Sequence, residues 1–379
     1  MPDAQHHTPL QPEKIHALTS LRFFAAFMVM LYHTTPAWIP GWTAIPVLPK
    51  FTGMGFTAVP FFFLLSGYIL AVVYLRRDTP INKSAFFTAR FARIYPLFLL
   101  TLIADTPNLF SSRVYMYGLH SAILKTSATF GANLIMLHAW IPQFSGIDNP
   151  NWSLATETVF YISFPFLAPA LWRLRSRGVW ILSILLWTVS QICIYLLSFH
   201  LNEGVMKNNP LLLIPTFLLG ILLARWQTLQ QATHRRSPGT SLGVWIGLFF
   251  AVSGFCAVTY WQDSIPPTLI GHVLLAPVFA CAIWVFSAND HIFSKLLSFS
   301  WLIVLGEASY GLYLIHIPVA HFWEWMGWSK ITSLYPVYLL TPVILSVFSF
   351  YFVETPARRW ILKRFHTRPK ETLEAASDA

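Results

Sequence analysis

The sequence predicts an all-α, polytopic membrane protein of about ten helices, and three observations lead there. Of 379 residues, 55% are hydrophobic and only 11% charged, whereas soluble domains carry about 25% charged residues. Apolar runs of about 20 residues, the length needed to cross the hydrocarbon core, recur along almost the whole chain. Basic residues gather in the short connections between those runs, the pattern that marks cytoplasmic loops.

Taken in order, the expected spans are 18–38, 56–75, 85–104, 152–172, 178–199, 210–226, 241–260, 266–287, 297–320 and 334–354. The stretch 114–139 is long enough to cross, but it holds His120, Lys125 and several Ser and Thr. Charge placement decides its assignment. Arg76, Arg77, Lys83, Arg90 and Arg93 sit in the connection 76–93; Arg173, Arg175 and Arg177 follow in 173–177; Arg225, Arg235 and Arg236 lie in 225–236; Arg358, Arg359, Lys363 and Arg364 close the last span. All four clusters face the cytoplasm only if 114–139 does not cross. It is therefore expected on the outer side, as a re-entrant or surface segment, with both termini cytoplasmic. The predicted organisation is an amino-terminal segment 1–17, a membrane domain 18–360 and a polar tail 361–379, in a bacterial cytoplasmic (inner) membrane. The first stretch is polar and runs into a full-length span with no small-residue cleavage pattern, so it reads as an uncleaved first helix rather than a signal peptide.

A net charge of +10 might suggest nucleic acid in a soluble protein; here the charge sits in loops between spans, and nucleic acid is not an expected partner. Cys193, Cys256 and Cys281 fall inside apolar segments, as small fillers rather than a disulfide framework. The histidines have no ligand-like spacing with acidic residues, so no metal is expected. Sixteen Trp and fourteen Tyr fit aromatic belts at the interfaces and a packed helical core.

Ionisable residues inside apolar spans are costly and point to function. Arg22 and His33 share the first span, eleven positions apart. That is roughly three turns, so both lie on one helix face, about 16 Å apart along it. They act at two depths and do not touch. Arg90 and Arg93, at i, i+3, share a face at the start of the third span. Guanidinium forks suit phosphates, although arginines at a helix end are also ordinary topology anchors. Glu157, in Asn151-Trp152-Ser-Leu-Ala-Thr-Glu157, needs a partner at its depth, and His33 is the expected one; a carboxylate beside an imidazole would fix its tautomer for general-base work. Glu307, Tyr313 and His316 lie in the ninth span, with Tyr313 and His316 on one face. The run Phe61–Tyr68 supplies Ser66 and Gly67 for close helix approach.

Together, Arg22-x10-His33, FFFLLSGY at 61–68, RFARIYP at 90–96, NWSLATE at 151–157, SYGLYLIH at 309–316 and ETPAR at 354–358 resemble the acyltransferase-3 family of integral-membrane acyltransferases. The resemblance covers nearly the entire chain and rests on the order of the motifs. It implies an O-acyltransferase that takes an acyl group, usually acetyl, from cytoplasmic acyl-CoA and places it on a hydroxyl of a glycan or related acceptor at the outer face. It implies no permanently bound cofactor, with acyl-CoA as co-substrate. It also implies His33 and Arg22 as the essential first-helix pair, Arg90 and Arg93 at the donor site, a catalytic part for Glu157, and substrate contacts from Trp152, Tyr313 and His316. Some members carry a further esterase-like domain, and this chain resembles the stand-alone type. A proton-coupled transporter or flippase is the alternative for a bundle with intramembrane Arg, His and Glu; the sequence shows no internal duplication to favour it.

Overall fold

The structure, a computed structural model, describes residues 15–39, 47–76, 79–233, 241–287 and 291–365. Most of the expected amino-terminal segment, Arg77, Arg235, Arg236 and the tail beyond Phe365 lie outside the described residues. Every regular element among the described residues is helical.

The first helix, α1 (His16–Trp38), is followed by a short α2 (Val47–Gly53), which runs through a tight turn into α3 (Ala58–Leu75). Next come the long α4 (Lys83–Tyr117) and α5 (Leu119–Leu134), then α6 (Trp152–Trp172) and α7 (Ser176–Leu197). A one-turn α8 (Glu203–Asn208) leads into α9 (Pro210–Thr233), and α10 (Ser241–Trp261) follows. A three-residue α11 (Pro267–Leu269) continues through a wide turn into α12 (Ala276–Phe286). The remainder is α13 (Ile292–Leu297), α14 (Ser300–Glu307), α15 (Ser309–Trp325), α16 (Tyr335–Ser349) and α17 (Thr355–Phe365), the last two joined through 350–354 without a break.

Among the described residues nine helical segments are long and apolar enough to cross a membrane, and ten if the bent pair α14–α15 counts as one span. That agrees with the expected number. Three boundaries differ. The third span does not stop at 104: α4 runs 35 residues to Tyr117, with Pro96 and Pro107 inside it. At 1.5 Å per residue it is about 52 Å long, well beyond the roughly 30 Å core, and its far end is exposed at Tyr115, Met116 and Tyr117. Gly118, at φ 78°, turns the chain into α5, which packs back along α4. The stretch 114–139 is thus the tip and return limb of a helical hairpin. Its return limb, at 16 residues, is not among the helices long and apolar enough to cross a membrane. The expected ninth span is broken, bending by 58° between α14 and α15. There the Ser309 hydroxyl donates to the Gly306 carbonyl (2.7 Å), and Gly306 lies so close to α1 that a Cβ would strike the Thr19 backbone. The last span continues to Phe365, about eleven residues past the expected end.

α3 is the most enclosed spanning helix and packs along α9. A Cβ on Gly67 would fall against the Phe217 carbonyl, and one on Gly220 against the Leu64 carbonyl, so the two backbones touch where small residues permit it. α7 and α10 are the least buried spans. Their outward Ile, Trp and Phe side chains suit lipid, which satisfies apolar groups as well as a protein core does. Cys193 and Cys256 are exposed on those two helices and Cys281 is half-buried, so the first two are not core fillers.

Candidate active site

Two anchors hold α1. Near its start the Ser20 hydroxyl donates to the Leu297 carbonyl (2.6 Å), beside the Gly306 contact. Near its end the Thr35 hydroxyl lies 2.7 Å from the Tyr335 hydroxyl. Between these points Arg22 and His33 face into the bundle in two different cavities, the separation in depth that their spacing predicted.

The first cavity, about 100 Å³, is lined by Arg22 of α1, Ser66 of α3, Arg90 and Arg93 of α4, Glu157 and Tyr161 of α6, and Tyr310 and Tyr313 of α15. The i, i+3 spacing does put both α4 arginines on one wall. Arg90 is not at a solvent mouth as an anchor would be: it is 4% exposed, and its Nε and Nη2 have no hydrogen-bond partner among the described residues. Its electrostatic neighbours are the Tyr74 and Tyr161 hydroxyls and Glu157, and its guanidinium carbon stands 5.8 Å from the Tyr161 ring centre. Three arginines and one glutamate line this small chamber, with Glu354 beside Arg93, and the unpartnered buried N–H groups of Arg90 seek an anionic acceptor.

Glu157 does not pair with His33. Its Oε1 accepts from the Ser66 hydroxyl (3.0 Å) and the Tyr161 hydroxyl (2.6 Å), among the arginines. The reason is rotation about α6. Ser153, one turn earlier, faces Tyr313 of α15 at 2.7 Å, and that face of the helix looks toward α3, α4 and α15 rather than toward His33.

The second cavity, about 140 Å³, holds His33 with Tyr32, Phe56, Trp152, Glu203, Lys207 and His272. His33 finds its partner on α15: its Nδ1 lies 3.1 Å from His316 Nε2, with the rings stacked at 28°. His316 is fully buried, and its Nδ1 sits 3.2 Å from the Leu312 carbonyl. It lines neither cavity and stands behind His33, so the expected direct substrate contact from His316 is not what the packing gives. Trp152 does line the His33 chamber. Tyr313 and Val59 line both cavities, which makes them the partition; the Tyr313 hydroxyl is tied to Ser153 and to the Pro150 carbonyl (3.1 Å). Among the described residues no group of three His, Cys, Asp or Glu could hold a metal.

Sequence reasoning missed several residues of both chambers. Ser66 was read only as packing, although it sits beside Glu157. Tyr161 was recoverable, since it stands four residues after Glu157 and so on the same face. Lys207 and Glu203 precede a span in a short polar connection, where nothing in the pattern singles them out. His272 shares the chamber wall, with its ring nitrogens 2.9 Å from the Met206 carbonyl and 2.5 Å from the Thr268 carbonyl.

A protein-family profile described as "Acyltransferase domain" matches residues 15–356. The chain is 26% identical over 337 residues to Acyltransferase MdmB of Streptomyces mycarofaciens, covering 83% of this chain and 81% of that protein. It is also 26% identical over 396 residues to O-acetyltransferase OatA of Staphylococcus aureus strain MRSA252, covering 96% of this chain but 60% of OatA. The chain thus spans less than two thirds of OatA's length. No solved structure matches it.

Proposed function

The chain belongs to the acyltransferase-3 family of membrane acyltransferases, and on that premise we propose that it moves an acyl group from cytoplasmic acyl-CoA to a hydroxyl of a glycan or related acceptor on the opposite side. The observation that carries this reading is the pair of abutting chambers, one lined with arginines and one with an imidazole, which share only Tyr313 and Val59 as partition. The likeness to O-acetyltransferase OatA favours acetyl as the group transferred. The basic loops favour the cytoplasm for the end of the bundle where α1 begins, and on this reading the chamber of Arg22, Arg90 and Arg93 is the donor side.

Arg90 and Arg93 offer their guanidinium forks to the phosphates of the carrier, with Arg22 of α1 lining the same chamber. At about 100 Å³ the chamber is smaller than the roughly 300 Å³ of a pocket for a whole drug-sized ligand. It suits the phosphates and the thin thioester-bearing arm of the carrier, with the bulky nucleoside left outside it. Past Tyr313 the thioester meets the chamber of His33. His33 takes the proton of the acceptor hydroxyl, and the oxygen attacks the thioester carbonyl. The C–S bond then breaks, and the departing thiolate takes the proton from His33. The products are an ester and free CoA thiol, with atoms and charge balanced.

The test is genetic and chemical. Base-labile acetate on the cell envelope should fall when the gene is deleted and return with the intact gene. A His33→Ala protein, present in the membrane at normal level, should not restore it. Full restoration by His33→Ala would sink the role of His33.

A further inference from the structure

The mechanism above needs His33 with one nitrogen bare, and nothing in it says which nitrogen that is. The contacts on α15 decide. The Leu312 carbonyl can only accept a hydrogen bond, so His316 Nδ1, 3.2 Å away, carries its proton. A neutral imidazole has one N–H, so His316 Nε2 is an acceptor. The atom 3.1 Å from it is His33 Nδ1, which must then donate.

We propose that His316 is the positioning residue of this enzyme: its Nε2 accepts the Nδ1 proton of His33 and leaves the lone pair of His33 Nε2 for the acceptor chamber. This rests on the reading of His33 as the base and deepens it. The chain carbonyl–imidazole–imidazole takes the place of the carboxylate that orients a catalytic histidine elsewhere. Glu157, the carboxylate expected beside His33, is committed to Ser66 and Tyr161. Because its acceptor is a neutral ring, the device also needs no buried negative charge beside the thioester. Its scaffold is rigid: Tyr338 donates to the His316 carbonyl at 3.0 Å, and the Tyr313 ring lies edge-on to His316 at 6.3 Å. His316 itself is buried away from both chambers, so it touches neither substrate.

The experiment uses the full chain in lipid vesicles, labelled acetyl-CoA and the envelope glycan of the deletion strain. His316→Leu keeps the volume and removes the acceptor; His316→Gln restores an oxygen acceptor and an N–H donor. His316→Leu is expected to lower kcat by about 10- to 100-fold, the usual consequence of losing an orienting partner, with KM for both substrates within about twofold. His316→Gln is expected to recover most of that loss. Unchanged kcat in His316→Leu, a loss seen only in KM, or a His316→Gln protein as impaired as His316→Leu would each overturn the proposal. An inactive His33→Ala beside a fully active His316→Leu would overturn this proposal alone and leave the base assignment standing. If His316→Leu does not fold, nitrogen-15 NMR of histidine-labelled wild-type protein decides: both His33 and His316 should carry their proton on Nδ1, and a proton on Nε2 of either ring would overturn the arrangement.

Discussion

A buried guanidinium with two unpartnered nitrogens is expensive, since the desolvation penalty of an ion inside a protein amounts to several kcal/mol. Arg90 is such a group, and a phosphate is the ligand whose geometry would satisfy it. Arg90→Met, which keeps the apolar stem, should raise KM for acetyl-CoA about 10- to 100-fold, since a hydrogen bond to a charged group is worth about 1.5–3 kcal/mol. KM for the acceptor should stay within about twofold. An unchanged donor KM in the vesicle assay would make Arg90 a packing residue. Ser66 makes a smaller, separable case. Ser66→Ala removes one of the two donors to Glu157 Oε1 and should lower kcat/KM for acetyl-CoA about 3- to 10-fold, with the melting temperature in detergent nearly unchanged; full activity would show that Tyr161 suffices to hold the carboxylate. The i, i+3 spacing of Arg90 and Arg93 exposed their shared face from sequence. Their burial it could not expose, because a helix end at a membrane boundary looks alike whether it meets water or the neighbouring helices α1, α3, α6 and α15.

The helices that carry the site are held at points where side chains are missing. Gly67 and Gly220 let α3 and α9 meet backbone to backbone, and Gly306 lets α14 reach α1. A methyl group at Gly220 would strike the Leu64 carbonyl, which is fixed in its own helix and has no side-chain freedom with which to yield. Gly220→Val should therefore lower the stability of the detergent-solubilised protein by about 1–3 kcal/mol, the usual range for overpacking, read as an earlier thermal midpoint. Gly131, on α5, has open space around it, and Gly131→Ala should raise the midpoint slightly, since alanine is favoured over glycine in a helix by about 1 kcal/mol. Equal effects at the two sites would contradict the close-approach account. The bend at Ala308 also belongs to this scale. The sequence over 297–320 reads as one apolar span, and no proline marks the break. It arises from the approach of Gly306 to α1 and the local Ser309 bond, which are tertiary contacts.

At the scale of the whole molecule, an even number of crossings returns the chain to the end where it began, so 173–177 and the start of α1 share one side while 200–203 lies on the other. Cysteines introduced at Ser176 and Asn202, both exposed, in a protein whose three native cysteines are replaced, should react with an impermeant thiol reagent from opposite faces of the membrane. Labelling of both from one face would refute the ten-span arrangement and with it the sidedness of the two chambers. The number of apolar spans and their order were legible in the chain itself, because hydrophobic length is a property of short segments and the bilayer reads it segment by segment. So was the separation of Arg22 from His33, which follows from helical pitch alone. The partners of the ionisable groups were not. Which way Glu157 turns, that His316 stands behind His33 and not in the chamber, and that Tyr313 divides the arginine chamber from the His33 chamber all depend on how each helix is rotated about its own axis. That rotation is decided only when glycine contacts and buried hydrogen bonds from distant parts of the chain come together, because a helix surrounded by lipid and by apolar neighbours has little hydrophobic preference for one face over another.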